Sequence, residues 1–396
     1  MIRPDSLLTF ARNVHEKQIA WRRHLHKHPE LSDREFETTS FITKLVKSMG
    51  CRIIPIKMPT GVLAELRGKG KGPTIAIRTD IDALPILEQT NLTFKSCRPG
   101  VMHACGHDVH MGTVLGAVAV LSGLREQFSG SVRFIFQPSE ENAPGGARPM
   151  IANGALDGVA TILGLHVDPN VRVGRIGLRD GITMAAVYDF DLVVKGVSGH
   201  AARPHEAVDA IATAAEIIDS MQKVVSREID PIDPVVITFG KISGGTARNV
   251  VADEVRLVGT ARSLSASAAR KLPAAIKRTA EGICRARGAS CKIGSVAGYP
   301  ILKNHAATNS LYRLCYDSLF GTGKIDLTEP VLGGEDFACY LEKVPGAMFR
   351  LGIQNKKLKA DQPWHSPKFM VDEKALYYGT SLLAMATVSY LDGDRI

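Results

Sequence analysis

Four separate places along the chain carry side chains able to hold a metal ion. Cys105 and His107 lie two apart in a turn containing Gly106, and Glu140 and Glu141 follow Gln137-Pro138. His166 comes directly after Gly164-Leu165, and His365 sits far along the chain in Trp364-His365-Ser366-Pro367. Asp80 and Asp82 add two carboxylates just beyond residues 74–78. A set that mixes thiolate, imidazole and carboxylate suits a borderline transition metal better than magnesium or calcium. About five ligands are too many for one tetrahedral ion and point to two ions sharing a bridge, an arrangement that can clamp a tetrahedral intermediate. Each residue taken singly has an ordinary reading: Cys105 as a small buried hydrophobe, His166 as a packed histidine, Glu140-Glu141 as a solvated loop. His103 and His110 read as supporting or surface residues, and His24, His26 and His28 as part of a helix stopped by Pro29.

The elements that must bring these residues together show in the apolar pattern. Residues 16–28 and 35–49 have helical spacing, and 62–66, 74–78, 131–136 and 160–165 are short β-rich runs. An apolar helix is expected over 110–124, just after the Cys105/His107 turn. Continuous apolar strands separated by helices indicate an α/β sheet covered on both faces. Functional groups in such sheets gather outside the carboxyl ends of the strands, where Asp80, Asp82, Glu140, Glu141 and His166 are all expected to fall.

Near Met184 the rhythm changes. Residues 187–194 alternate as a half-exposed strand; a helix follows over 207–225, strands over 235–242 and 254–260, a helix over 267–287 and a strand over 291–296. That order, β-α-β-β-α-β, is the split ferredoxin-like plan. The helix and strand alternation resumes through Gly352 and closes with a helix over 373–390. The expected organisation is a catalytic domain with a central, mostly parallel sheet in two parts, 1–183 and 299–396, interrupted by an inserted ferredoxin-like α+β domain over 184–298.

Composition excludes several other classes. The chain has 396 residues, 45% hydrophobic and 22% charged, the balance of an ordinary globular protein with room for two or three domains. No apolar run approaches the roughly 20 residues that span a bilayer. Seven scattered cysteines are an odd number and a poor disulfide framework, so reduced thiols and a cytoplasmic location are expected. The net charge of +9 comes without a basic block or interleaved aromatics, so neither nucleic acid nor membrane is expected as a partner.

The motifs as a set resemble those of the aminoacylase/carboxypeptidase-type, metallopeptidase-like amidohydrolases. The similar branch holds hippurate hydrolase, N-acyl-amino-acid amidohydrolases and plant indole-acetyl-amino-acid hydrolases. The resemblance runs through nearly the whole chain: Arg22-Arg23-His24-Leu25-His26-Lys27-His28-Pro29-Glu30-Leu31, Arg78-Thr79-Asp80-Ile81-Asp82, Met102-His103-Ala104-Cys105-Gly106-His107-Asp108, Gln137-Pro138-Ser139-Glu140-Glu141 and Gly164-Leu165-His166. It continues with Gly199-His200-Ala201-Ala202-Arg203-Pro204-His205, Thr246-Ala247-Arg248-Asn249-Val250, Gly333-Gly334-Glu335-Asp336 and His365-Ser366-Pro367. The segment Glu206-Ala207-Val208-Asp209-Ala210 departs from it, lacking the Gly and Pro common there.

The resemblance implies two divalent transition-metal ions (zinc, manganese, cobalt or nickel) held by Cys105, His107, Glu141, His166 and His365. It makes Glu140 the general base and Asp82 the residue that orients the site, with Asp80 standing where other branches place a histidine ligand. His200 and Asn249 would reach the substrate from the inserted domain, which serves as lid and dimerisation domain, and in dimeric relatives His200 serves the neighbouring subunit. Arg248 and Arg262 are further candidates for the substrate carboxylate, or else surface or hinge residues. Glu335-Asp336 would line the pocket or cap a helix starting at Phe337. The implied activity is metal-dependent hydrolysis of N-acyl amino acids by a homodimer or homotetramer. A metal-dependent carboxypeptidase or dipeptidase, and a non-catalytic binding protein on the same fold, are the competing readings.

Overall fold

The computed structural model describes residues 2–296 and 298–393, so the outer ends of the expected spans, at residues 1 and 394–396, lie outside the described residues. The chain divides into two compact units. The first comprises Met1–Gly181, Lys303–Glu329 and Asp336–Ile396, and the second Ile182–Leu302 with Pro330–Glu335.

The first unit is built on an eight-stranded sheet in the order Arg52–Ile54, Val62–Arg67, Ser131–Gln137, Thr74–Asp80, Val159–Arg172, Gly346–Gln354, Ile176–Leu178, Ile325–Leu327. The four strands from Ser131–Gln137 to Gly346–Gln354 run parallel to one another. The antiparallel pairs lie outside them. Thr74–Asp80 and Ser131–Gln137 are buried at every position but the first, as strands covered on both faces must be. The helices Pro4–Lys27, His107–Gly123 and Lys374–Leu391 pack against one another, and Ala306–Phe320 packs on the last of these. His107–Gly123 is buried on nearly all sides, which explains an apolar sequence with no polar face.

In this unit three boundaries differ from the sequence expectation by three residues or more. The first helix starts at Pro4 instead of residue 16: proline suits a first helical turn, and Leu7, Leu8 and Ala11 extend the buried face. The strand expected over 160–165 runs from Val159 to Arg172, because it keeps pairing with Gly346–Gln354 well past Leu165. His107 lies inside its helix, as the first residue, where a turn was expected.

The second unit holds a four-stranded antiparallel sheet in the order Val235–Gly244, Glu254–Ser263, Ala186–Lys195, Ser290–Val296. With helices Ala210–Glu228 and Ala266–Ala286 this makes a β-α-β-β-α-β unit, packed around Phe190, Leu192, Leu257, Ile217 and Ile276. The first helix starts at Ala210, three residues later than expected, because the Asp209 side chain accepts the N–H groups of Ile211 and Ala212.

In the first unit, Glu65 and Arg133 face each other across two antiparallel strands and are joined at 2.8 Å, both buried. Burial alone would raise the Glu65 pKa, but Arg133, helped by Arg52 and Arg67, pulls it down to about 2. The ionised carboxylate thus stabilises the fold above the ordinary value of 4.5, and this contribution fades as pH falls toward about 2. Glu65→Gln should cost about 2 kcal/mol at neutral pH. In urea titrations, its difference from wild type should shrink between pH 4.5 and about 2.

Candidate metal centre and active site

Strand register puts two of the candidate site residues level with one another. Asp80 pairs with Gln137, and Arg78 pairs with Gly164, so Asp80 and His166 each lie two residues further along neighbouring strands. Asp80 is the last residue of its strand and His166 lies within its own, where both were expected just beyond strand ends. The turn carrying Cys105 presses against this edge through Gly106, whose φ is +94°. A Cβ on Gly106 would come 2.5 Å from Val167 Cγ2, so only glycine allows the approach. Cys105 Sγ then lies 3.5 Å from His166 Nε2.

The hydrogen bonds fix which ring nitrogens face the site. His107 Nδ1 donates to the Asp82 main-chain oxygen at 2.9 Å, and His166 Nδ1 donates to the Val167 oxygen at 2.8 Å. In each case Nε2 is the atom turned toward the other candidate ligands. His107 Nε2 is buried without a hydrogen-bond partner. It stands 3.7 Å from Asp80 Oδ2, 3.7 Å from Glu141 Oε1 and 4.0 Å from Glu140 Oε2. These gaps are too long for hydrogen bonds and suit donors that converge on a cation.

The electrostatics agree. Burial opposes a charge on His107, yet Asp80, Asp82 and Glu141 outweigh it and raise its pKa to about 10. Burial raises Glu141 to about 7, with His107 pulling it down and Asp82 pushing it up. Cys105 is held well above its ordinary value by burial and by Glu141, Glu140 and Asp80. His166 is lowered by burial and by His110 and Arg350. A buried cluster this rich in acidic groups, with an orphaned imidazole nitrogen at its centre, fits positive ions. Among the described residues, Cys105 groups with His107 and His166, and also with Glu141 and His365, each set with ligand atoms within 4.8 Å. His107 groups in the same way with Glu140 and Glu141.

Backbone geometry aims the remaining groups. Ser139, just before Glu140, has φ +54°, and His365 has φ +64°, a region that costs a side-chain-bearing residue energy. The Ser139 turn is held by Glu35, which accepts its N–H at 2.9 Å, and by Asp33, which accepts its hydroxyl at 2.7 Å. The His365 N–H donates to the Ala104 oxygen at 2.9 Å, bringing the half-exposed ring to 3.6 Å from Glu141 Oε1. Asp82 Oδ2 accepts the Glu141 N–H at 3.0 Å and the Ser32 hydroxyl at 2.7 Å. Asp82 therefore fixes His107 through its main chain and Glu141 through its side chain.

Arg78, fully buried, donates to Asp80 at 2.9 Å, Gln137 at 2.9 Å and Asp336 at 2.7 Å. Asp336 does not cap the helix Phe337–Leu341 with its side chain; its carboxylate also takes the Gln137 amide and the Ala147 N–H. Sequence reasoning missed Arg78, Ser32 and Glu35. Only Arg78 left a signal, a lone charge in an apolar strand.

In the second unit, His200 and Asn249 are neighbours: the Ala201 N–H donates to the Asn249 oxygen, and strand Gly199–His200 pairs with Val250–Val251. His200, Arg248 and Asn249 are exposed. Arg262 is partly buried and donates to the Leu332 oxygen at 3.1 Å, a structural bond within that unit.

Residues 76–388 match the model of peptidase family M20/M25/M40. The chain is 40% identical to N-acetylcysteine deacetylase of Bacillus subtilis (strain 168), over 96% of this chain and 98% of that protein. It is 36% identical to thermostable carboxypeptidase 1 of Saccharolobus solfataricus, over 98% of each. Among solved structures it resembles the Bacillus subtilis YXEP protein, described as a dinuclear metal binding peptidase of the M20 family. That match has a TM-score of 0.82 and 36% identity, covering 97% of this chain and 100% of the other. The strand-edge site and the whole-length similarity agree: the chain is a hydrolase of peptidase family M20/M25/M40, in its aminoacylase/amidohydrolase-type branch.

Proposed function

We propose that this chain hydrolyses the amide bond of N-acyl amino acids with two divalent transition-metal ions, releasing a carboxylic acid and a free amino acid. The observation that carries this reading is the convergence of Cys105, His107, Glu141, His166 and His365 beside Glu140. His107 and His166 would hold one ion, Glu141 and His365 the other, with Cys105 common to both groups. Zinc, manganese, cobalt and nickel all suit such donors. When bound, the ions supply the positive charge that polarises the acyl carbonyl.

The chain's own residues supply the rest. Glu140 takes the proton of the attacking water and returns it to the departing nitrogen. Asp82 holds His107 and Glu141 in place. His200 is assigned to the acyl oxygen and Asn249 to the substrate carboxylate, with Arg248 as an auxiliary cation; exposure and adjacency of the first two support this. Arg262, already bonded to a main-chain oxygen, is the weaker candidate. We assign the protein to the cytoplasm, in line with its free cysteines. We also propose assembly as a homodimer or homotetramer through the second unit, where much of the edge strand Val235–Gly244 is exposed.

The carboxypeptidase relative favours a second reading, cleavage of peptides by the same chemistry with a different acyl group. Assaying N-acetylcysteine, hippurate and dipeptides beside one another, with and without chelator, separates the two. Chelator-sensitive hydrolysis of the N-acyl amino acids is expected; turnover of dipeptides alone supports the second reading, and no turnover at all a binding protein. Glu140→Gln should lower kcat by about 100- to 10,000-fold while two metal ions per chain are retained. Activity near wild type in that variant would remove Glu140 from its role. Because His107 holds a proton up to about pH 10 and Glu141 up to about pH 7 without metal, ions must displace protons to bind. Metal affinity should therefore tighten as pH rises from 6 toward 9, with proton release measurable by calorimetry in buffers of different ionisation enthalpy.

A further inference from the structure

We infer that His110 is a positioning residue that presents His166 to the metal centre through the main chain of Val167; this rests on the two-metal reading above. His110 is fully buried, in the helix that His107 begins. Its ring lies 5.3 Å from that of His107 and 4.7 Å from that of His166. Grouped with Asp80 and His107 it could pass for a ligand. Its hydrogen bonds argue otherwise.

His110 Nε2 accepts the Val167 N–H at 2.9 Å, so that nitrogen must offer a lone pair. The ring proton is then on Nδ1, which donates to Asp80 Oδ1 at 2.7 Å. Both nitrogens are spent on the protein. Asp80 is itself fixed by Arg78, through its other oxygen.

The reason a histidine is needed here lies in the sheet. Pairing between Thr74–Asp80 and Val159–Arg172 ends at Arg78 and Gly164, while pairing to Gly346–Gln354 continues beyond Val167. On its open side the Val167 N–H has no strand partner, and His110 takes the place of the missing strand. The Val167 oxygen accepts from His166 Nδ1 at 2.8 Å and from Trp364 Nε1 at 3.1 Å. The two polar main-chain groups of Val167 thus tie His110 to the bond that sets the His166 tautomer, and to the residue next to His365. A chain of contacts runs from Arg78 through Asp80, His110 and Val167 to His166.

Zinc affinity of the metal-free full chain, measured by competition with a chromophoric chelator, tests this. His110→Phe keeps ring bulk and removes both bonds, and should weaken binding by about 10- to 100-fold at one or both sites. Glu65→Gln, which destabilises the fold away from the site, serves as control and should bind like wild type. A folded His110→Phe protein that binds within about twofold of that control overturns the positioning role alone. Absence of tight zinc binding by wild type overturns the two-metal reading and this inference with it. Should His110→Phe fail to fold, 15N spectra of metal-free, histidine-labelled wild type decide: His110 protonated on Nδ1 is expected, and protonation on Nε2 overturns the proposal.

Discussion

A guanidinium buried among carboxylates sits beneath everything the site does. Arg78 lies in the middle of a parallel sheet, where an unpaired charge would be very costly, and its bonds to Asp80, Gln137 and Asp336 make the position tolerable. Those same bonds bring two adjacent strands and the Asp336 segment to a fixed spacing. Asp80, so held, is a rigid acceptor for His110, and the ligand edge is built outward from there. Removing one partner from such a cluster strands the others in a medium of low polarisability, so its members are bound to one another more tightly than any pairwise count suggests.

The site combines two kinds of support. His166 belongs to a strand and His107 to the first turn of a helix, and both are held by bonds from ring to main chain. Glu140 and His365 instead follow or occupy left-handed positions, held by bonds from Glu35, Asp33 and Ala104. Candidate ligands on regular elements gain precision from the sheet, whereas the groups on turns owe theirs to a few local contacts. The half on turns is the half where small changes can shift reactivity without disturbing the core.

Much of this was legible in the sequence. Apolar runs located the strands and the buried helix, and the β-α-β-β-α-β order of the inserted segment followed from alternation alone. The residues that converge on Cys105 were legible because their types are those of metal ligands and because strand ends collect functional groups. The supporting network was not. Whether a strand stops at Leu165 or runs to Arg172 depends on the neighbour with which it pairs, and local pattern carries no trace of that neighbour. For the same reason His110 read as merely supporting or surface: its task exists only because Val167 loses one strand partner. Asp336 was read as lining the pocket or capping a helix; its side chain makes no cap, because the buried Arg78 and Gln137 take its carboxylate instead.

The acid-rich cluster also bears on how the protein is made. A site of this kind, if its acidic groups were all charged and bare, would repel itself and hold the surrounding loops apart. Here burial opposes a charge on His107, but the surrounding carboxylates raise its pKa to about 10, so a positive charge at the centre of the cluster offsets part of that repulsion at cellular pH. The proton on His107 stands in for the charge an ion would bring. On the two-ion reading proposed above, the chain would differ from a zinc finger, whose folding free energy is largely that of metal binding: it would close around its own proton and become active when metal is supplied.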